Sequence, residues 1–271
     1  MPYLTTADDT RLFYFDVGSG PAIVFSHAWA LNSDQFHYLV NDLVDAGYRC
    51  IGLDRRGHGR SDRPGTGMTL DGFADDLALL LERLDVDNVT LAGHSLGCSE
   101  IVRYATRHGL ARIARSLLLA PIMPLLVATD DNPDGVPRAY VESSAALLRR
   151  DAAEWCAQNA PPYFGVNPSV SVGLGDWTIR QILDTPVKTL VDTVWITTTT
   201  DLRAEVARFD VPTLVIHGTA DASAPVELTG RKVAALLPRG TLVEIDGAGH
   251  GLYLNDVETI VKEFLAFAPP I

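Results

Sequence analysis

The chain is poor in positive charge: 22 lysines and arginines stand against 34 aspartates and glutamates, a formal net charge of −12 at pH 7. Nucleic acid and anionic membrane surfaces are recognised through basic patches, so neither is an expected partner. The basic pairs Arg55-Arg56 and Arg149-Arg150 are short and are expected on solvated or locally paired surfaces. Cysteine is scarce too, with Cys50, Cys98 and Cys156 alone. They form no metal-spaced pair, and any disulfide leaves one thiol over, which suits buried thiols in a reducing compartment. No apolar run reaches the roughly 20 residues that span a bilayer. Met1 to Val17 lacks the basic start and long apolar segment of a secretion signal, so the expectation is a cytoplasmic protein. Internal repeats and low-complexity segments are also missing.

What is present is core material. Of 271 residues, 47% are hydrophobic, enough for one α/β domain carrying an insertion. Short apolar runs recur at Ala22–Phe25, Cys50–Leu53, Val89–Ala92, Leu117–Leu119 and Thr213–Ile216. Continuous apolar strands imply burial on both faces, hence a mostly parallel sheet covered by helices. Leu70, Phe73, Leu77, Leu80, Leu81 and Leu84 repeat at helical spacing, with Thr69 as N-cap and Asp71 in the first turn. The alternation from Arg11 to Phe15 reads as an antiparallel edge hairpin. Helices are expected over Glu227–Leu237 and Val257–Phe267.

After Leu119 the rhythm breaks at Pro121, Pro124, Pro133 and Pro137, a helical stretch runs from Ala139 to Gln158, and strand signals resume only at Val211. Residues 122–208 therefore read as a mainly helical cap inserted into a core made of 1–121 and 209–271. Its Trp155, Trp177 and Trp195 either fill the cap's own core or form an apolar roof over a substrate.

Chemistry centres on Gly93-His94-Ser95-Leu96-Gly97, which follows an apolar run and opens a helical segment. At a nucleophile elbow the strand stops in a strained turn, so flanking positions must be small and the serine projects alone. The bare pattern would arise by chance in roughly one chain in ten of this length, so its partners decide. A serine hydroxyl needs a base to take its proton and a third group to orient that base. In an α/β-hydrolase the order is serine, acid, histidine, each after a strand. Asp221 follows the run ending at Ile216, and His250 lies in Gly247–Gly251 beyond Leu242–Ile245. Asp130, Asp131, Asp246 and Asp256 are weaker candidates for the acid: the first two enter the cap, the others mark a turn and a helix start. Among the histidines, His37 and His108 fall in helical segments, His58 in a turn, and His217 at a strand end. Two backbone N–H donors must stabilise the oxyanion. Leu96, opening the helix after the elbow, is one; Trp29, in the loop after Ile23–Ser26, is the other.

Together with His27-Ala28-Trp29 and Asp54-Arg55-Arg56-Gly57-His58-Gly59-Arg60-Ser61, these motifs resemble the α/β-hydrolase superfamily, and more narrowly its cofactor-free haloperoxidase, arylesterase and perhydrolase group. The resemblance covers nearly the whole chain and implies Ser95 as nucleophile, Asp221 and His250 as partners, and Trp29 and Leu96 as oxyanion donors; with no metal cluster or phosphate-cradling glycine loop evident in the sequence, no cofactor or metal is expected. Three positions depart from the group's pattern: Ala28 and Cys98 replace common glycines, and Ala30 stands where several members carry proline. These departures direct the expectation toward hydrolysis of small to medium aryl or alkyl esters or lactones. Peracid formation by the same triad is the alternative, and a hydrolase-fold receptor or cofactor-free dioxygenase is the alternative of another class. Ile122, Leu126, Trp195 and Leu252 are candidate pocket residues. The partner is a small molecule, and the oligomeric state, a homo-oligomer included, stays open.

Overall fold

The computed structural model describes residues 2–166 and 168–270. Its strands are β1 (Tyr3–Thr5), β2 (Arg11–Gly18), β3 (Ala22–Ser26), β4 (Arg49–Leu53), β5 (Val89–His94), β6 (Ile113–Leu119), β7 (Thr213–Gly218) and β8 (Gly240–Ile245). They form one sheet in the order β1-β2-β4-β3-β5-β6-β7-β8. From β4 to β8 every neighbouring pair is parallel, and β1 and β2 add an antiparallel edge. The edge hairpin thus pairs β2 with a short strand on its N-terminal side, which its own alternation did not reveal.

Burial on both faces explains the apolar strands. In β3, Val24 joins the core on one side while Ile23 and Phe25 join the other. The first face is covered by α2 (Leu70–Arg83), α3 (Leu96–His108), α8 (Arg203–Val206) and α9 (Gly230–Leu236). The second is covered by α1 (His37–Asp45), α10 (Leu252–Asn255) and α11 (Val257–Phe267). Helix α2 begins as its sequence predicts: the Thr69 hydroxyl accepts from the Gly72 N–H, and Phe73, Leu77, Leu80 and Leu81 are buried. Each such side chain contributes about 1.5–3 kcal/mol by leaving water.

Between β6 and β7 lie α4 (Arg138–Arg150), α5 (Ala152–Tyr163), α6 (Val172–Asp184), α7 (Val187–Thr199) and α8. The single stretch expected over Ala139–Gln158 is two helices, because Asp151 ends α4 and its carboxylate caps α5 through the Glu154 N–H. Leu202, Val206 and Phe209 rejoin the core on the α2 and α3 face. No described helix is long and apolar enough to cross a membrane.

One surface assignment is corrected. Arg55 and Arg56 are buried, 1% and 7% exposed. Arg55 pairs with buried Glu100, and the Arg56 guanidinium grips both carboxylate oxygens of Asp76 on α2. A charge pattern cannot distinguish a solvated arginine from one whose partner sits 20 or 45 residues away.

Candidate active site

Strand β5 ends in a turn that only small residues permit. Ser95 has φ 55° and ψ −115°, outside the regions an L-residue ordinarily adopts. A Cβ on Gly97 would collide with the Ser26 carbonyl, and one on Gly93 would lie 2.7 Å from the Cys98 nitrogen. Both glycines are therefore required by close backbone approach. Directly below, Cys98 is buried, its Sγ 3.5 Å from the Leu119 carbonyl, and burial pushes its thiol well above the ordinary range. It packs as a small apolar residue.

The loops after β7 and β8 bring Asp221 and His250 together. The His250 Nδ1 lies 2.7 Å from Asp221 Oδ2. The other carboxylate oxygen accepts the N–H groups of Ser223 and Ala224 at 2.9 and 2.8 Å. Burial alone would raise the Asp221 pKa, but the charges and hydrogen bonds of His250 and His217 hold it below the usual carboxylate range. Asp221 therefore stays ionised, able to fix the imidazole tautomer. His217 is itself buried, with Nε2 2.8 Å from the Ala224 carbonyl and 3.2 Å from Asp221 Oδ2. Of the other candidate acids, Asp131 pairs with Arg203, Asp246 accepts from Thr219, and Asp256 accepts from Asn255 just before α11.

Residues 163–166, at the end of α5, clamp the His250 loop from above. Gly251 N–H donates to the Tyr163 carbonyl at 2.7 Å, and Val166 N–H donates to the Gly247 carbonyl at 2.8 Å. The Tyr163 ring meets the His250 ring edge-on.

The loop after β3 carries Trp29. Its indole Nε1–H donates to the Leu190 carbonyl on α7, and the Ala30 carbonyl accepts from the Thr185 hydroxyl. The left-handed residue of this loop is Ala30, with φ 63°, not Ala28, whose Cβ is simply buried. Proline fixes φ near −65°, so proline at position 30 would demand a different loop. Among the described residues, neither the Trp29 nor the Leu96 backbone N–H has a protein acceptor. Leu96 is the first residue of α3, where the helix dipole also favours negative charge.

Ser95, His250 and Trp29 line one cavity of about 620 Å³, closed over by α4, α5, α6 and α7. Ile122 and Leu126 line it as expected, joined by Trp155, Tyr163, Phe164, Ile179, Ile182 and Val194. Three threonines in the wall are chemically spent: Thr178, Thr197 and Thr198 donate their hydroxyls to carbonyls one turn back in their own helices. The thiol of Cys156, also in the wall, is pushed up to about 11 by burial and is no competing nucleophile.

Two expected pocket residues lie elsewhere. Leu252 opens α10 and turns into the core beside Tyr253 and Ile260, fully buried. Trp195 packs on the cluster of Leu125, Val127 and Val141 with the Arg138 guanidinium over its ring, while its neighbour Val194 takes the cavity side of α7. Of the three insertion tryptophans only Trp155 is in the wall, edge-on to Trp29; Trp177 stacks on His37 at the surface. Beneath the site lie Gln35, His94, Arg55 and Glu100, to which no site role follows from sequence. His94 and Arg55 stand inside motifs whose roles lie elsewhere, and Gln35 and Glu100 carry no local signal. Among the described residues, no cluster of three or more His, Cys, Asp or Glu side chains is placed to hold a metal ion.

A doubly covered parallel sheet, a serine on a strained strand–helix turn, and an aspartate–histidine pair on the following loops define the α/β-hydrolase class. The family described as alpha/beta hydrolase fold matches residues 21–152, and one described as TAP-like protein matches 191–267. The chain is 37% identical to a non-heme chloroperoxidase of Kitasatospora aureofaciens, with 98% of this chain and 99% of that protein covered. It is 34% identical to a bifunctional esterase/perhydrolase of Acinetobacter calcoaceticus over the same shares. An esterase of Exiguobacterium antarcticum superposes with a TM-score of 0.93 at 26% identity, covering 98% of both chains. The chain belongs to the α/β-hydrolase family, within the group of non-heme haloperoxidases and esterase/perhydrolases.

Proposed function

We propose that the protein is a serine esterase acting on small to medium aryl or alkyl carboxylic esters or lactones. The observation that carries this reading is the sharing of one apolar cavity by Ser95, strained at its elbow, and His250, held by Asp221 at 2.7 Å. His250 takes the hydroxyl proton as Ser95 Oγ attacks the ester carbonyl. The oxyanion is received by the free N–H groups of Trp29 and Leu96, each worth about 3–4 kcal/mol to the transition state. His250 then protonates the departing alcohol, leaving an acyl-serine. Water, deprotonated by His250, releases the acid and restores the serine. Asp221 stabilises the imidazolium in both halves.

The substrate fits as a neutral, largely apolar molecule, since His250 is the one ionisable nitrogen in a mostly aliphatic and aromatic wall, whose polar members include Ser144, Gln158 and Asn159, each hydrogen-bonded within α4 and α5. Residues 122–208 act as the cap that excludes water over it, and three free, buried cysteines suit a reducing, cytoplasmic setting.

An activated acetate ester should give a burst of phenol, and a phosphonate should label Ser95 covalently. Folded protein that does neither, with turnover unchanged in Ser95→Ala, would falsify this reading. Peracid formation, with peroxide replacing water at the acyl-enzyme, is supported by the haloperoxidase and perhydrolase relatives. The ratio of acid to peracid from one ester in the presence of peroxide measures it directly.

A further inference from the structure

A line of buried polar groups runs beneath the site, from Ala28 and His250 in the cavity wall through Gln35 and His94, which do not line it. The Ala28 N–H donates to Gln35 Oε1 at 2.9 Å. Gln35 Nε2 lies 3.0 Å from His94 Nδ1, and His94 Nε2 lies 3.0 Å from the His250 carbonyl oxygen. Gln35 and His94 are fully buried, and Ala28 and His250 are 3% and 5% exposed.

Both ends fix the direction of every proton. A backbone N–H can only donate, so the Gln35 oxygen faces Ala28 and its NH₂ faces His94. A carbonyl can only accept, so the His94 proton sits on Nε2 and Nδ1 receives the amide. His94 is thus a neutral imidazole with one acceptor and one donor, both used. A second proton on Nδ1 would point at the Gln35 NH₂, and burial with His250 alongside holds the His94 pKa well below its ordinary value. The ionisable groups around it are His250, Asp221, His217 and Tyr253. His94 therefore does not shuttle protons.

The places joined are informative. Ala28 precedes Trp29, His94 precedes Ser95, and His250 holds its own carbonyl in the line. The oxyanion loop, the elbow and the base loop follow β3, β5 and β8, which are not all neighbours in the sheet. No ladder hydrogen bond sets β8 against β3. We propose that Gln35 and His94 are positioning residues: their hydrogen-bonded line from the Ala28 N–H to the His250 carbonyl holds the oxyanion donor and the base in register with Ser95. This rests on the roles assigned above to Ser95, His250 and Trp29.

The test uses the full-length enzyme with 4-nitrophenyl acetate. His94→Phe removes both bonds at similar volume, and Gln35→Met removes the amide alone. Each is expected to lower kcat by about 30-fold or more with KM within about 3-fold, as misplacing reacting groups by a fraction of an ångström does. His94→Gln restores one acceptor and one donor and is expected to recover kcat to within about 5-fold of wild type. The double variant should lose no more than about 3-fold beyond the worse single one, because either break opens the same line. Near-ultraviolet circular dichroism verifies folding; should His94→Phe not fold, Gln35→Met and the Gln rescue are read by the same criteria. Folded variants with kcat within 3-fold of wild type, a failed rescue, or fully multiplicative losses overturn the proposal. If wild type itself neither turns over the ester nor labels at Ser95, the functional reading fails instead.

Discussion

The floor and the roof of the cavity are built from different physics. Beneath Ser95 the side chains are fixed by directional bonds: Asp221 to His250, Gln35 to His94, Arg55 to Glu100. Above it, α4 to α7 present mostly Trp155, Ile179, Ile182, Val194 and threonines whose hydroxyls bond within their own helices, with Ser144, Gln158 and Asn159 as polar exceptions. The floor must place protons and charges to a fraction of an ångström, which dispersion contacts cannot do. The roof has chiefly to match a shape and exclude water, for which apolar contacts suffice. Reaction type is thus written in the floor and substrate choice in the roof, and mutations in the two should fail in different ways.

The largest effects belong to the floor. Ser95→Ala should lower ester turnover by about 10⁵-fold or more, and Asp221→Asn by about 10⁴-fold by presenting an amide N–H to His250 and fixing the wrong tautomer. Steady-state hydrolysis of an aryl acetate measures both, and residual turnover within tenfold of wild type would place the chemistry elsewhere. Asp221 also links stability to pH. Its folded pKa is depressed, so its contribution is complete above the unfolded value of about 3.9 and is lost as pH falls through the lower folded value. Urea melts of the Asn variant should therefore lack that part of the acid slope.

Next comes Glu100→Gln. Burial raises the Glu100 pKa and Arg55 opposes the rise; without the carboxylate, the guanidinium is left charged in the core. The expected cost is about 3–5 kcal/mol. A variant as stable as wild type in urea would show that the floor is not held by this pair.

The roof should respond more mildly and selectively. Trp155→Ala should change the preference between octanoate and acetate esters by about 1–3 kcal/mol in kcat/KM, with acetate hydrolysis little affected. Equal losses on both esters would mean that the tryptophan supports the Trp29 loop and not the substrate. Smallest is Ala30→Gly, which relieves a left-handed backbone and should raise stability by about 0.5–1 kcal/mol. Thermal unfolding at matched activity checks it, and a loss of stability would show that the Ala30 methyl, buried on Leu148 and Leu190, matters more than its φ.

Local patterns carried much of this. Helix α2 could be read from its leucine spacing and Thr69 cap, and α11 from Val257–Phe267, because capping and amphipathicity act within a few residues. Strand β1 was not legible, since three residues give no period. Trp195 and Val194 are equally apolar, and a rotation of about 100° along α7 puts one in the cavity and the other against Arg138. Gln35 carries no motif at all; its meaning comes from two partners, 7 and 59 residues away.

The sequence by itself determined the sheet, the elbow and the chain order of Ser95, Asp221 and His250, because glycine spacing and strand-end placement are local steric demands. Tertiary structure alone decided that Asp221 reaches His250, that Arg55 is a buried support, that Trp195 and Leu252 leave the pocket, and that Gln35 and His94 join three loops. Those facts depend on distances between residues far apart in the chain, which close-packed helices and sheet set, and which no local pattern encodes.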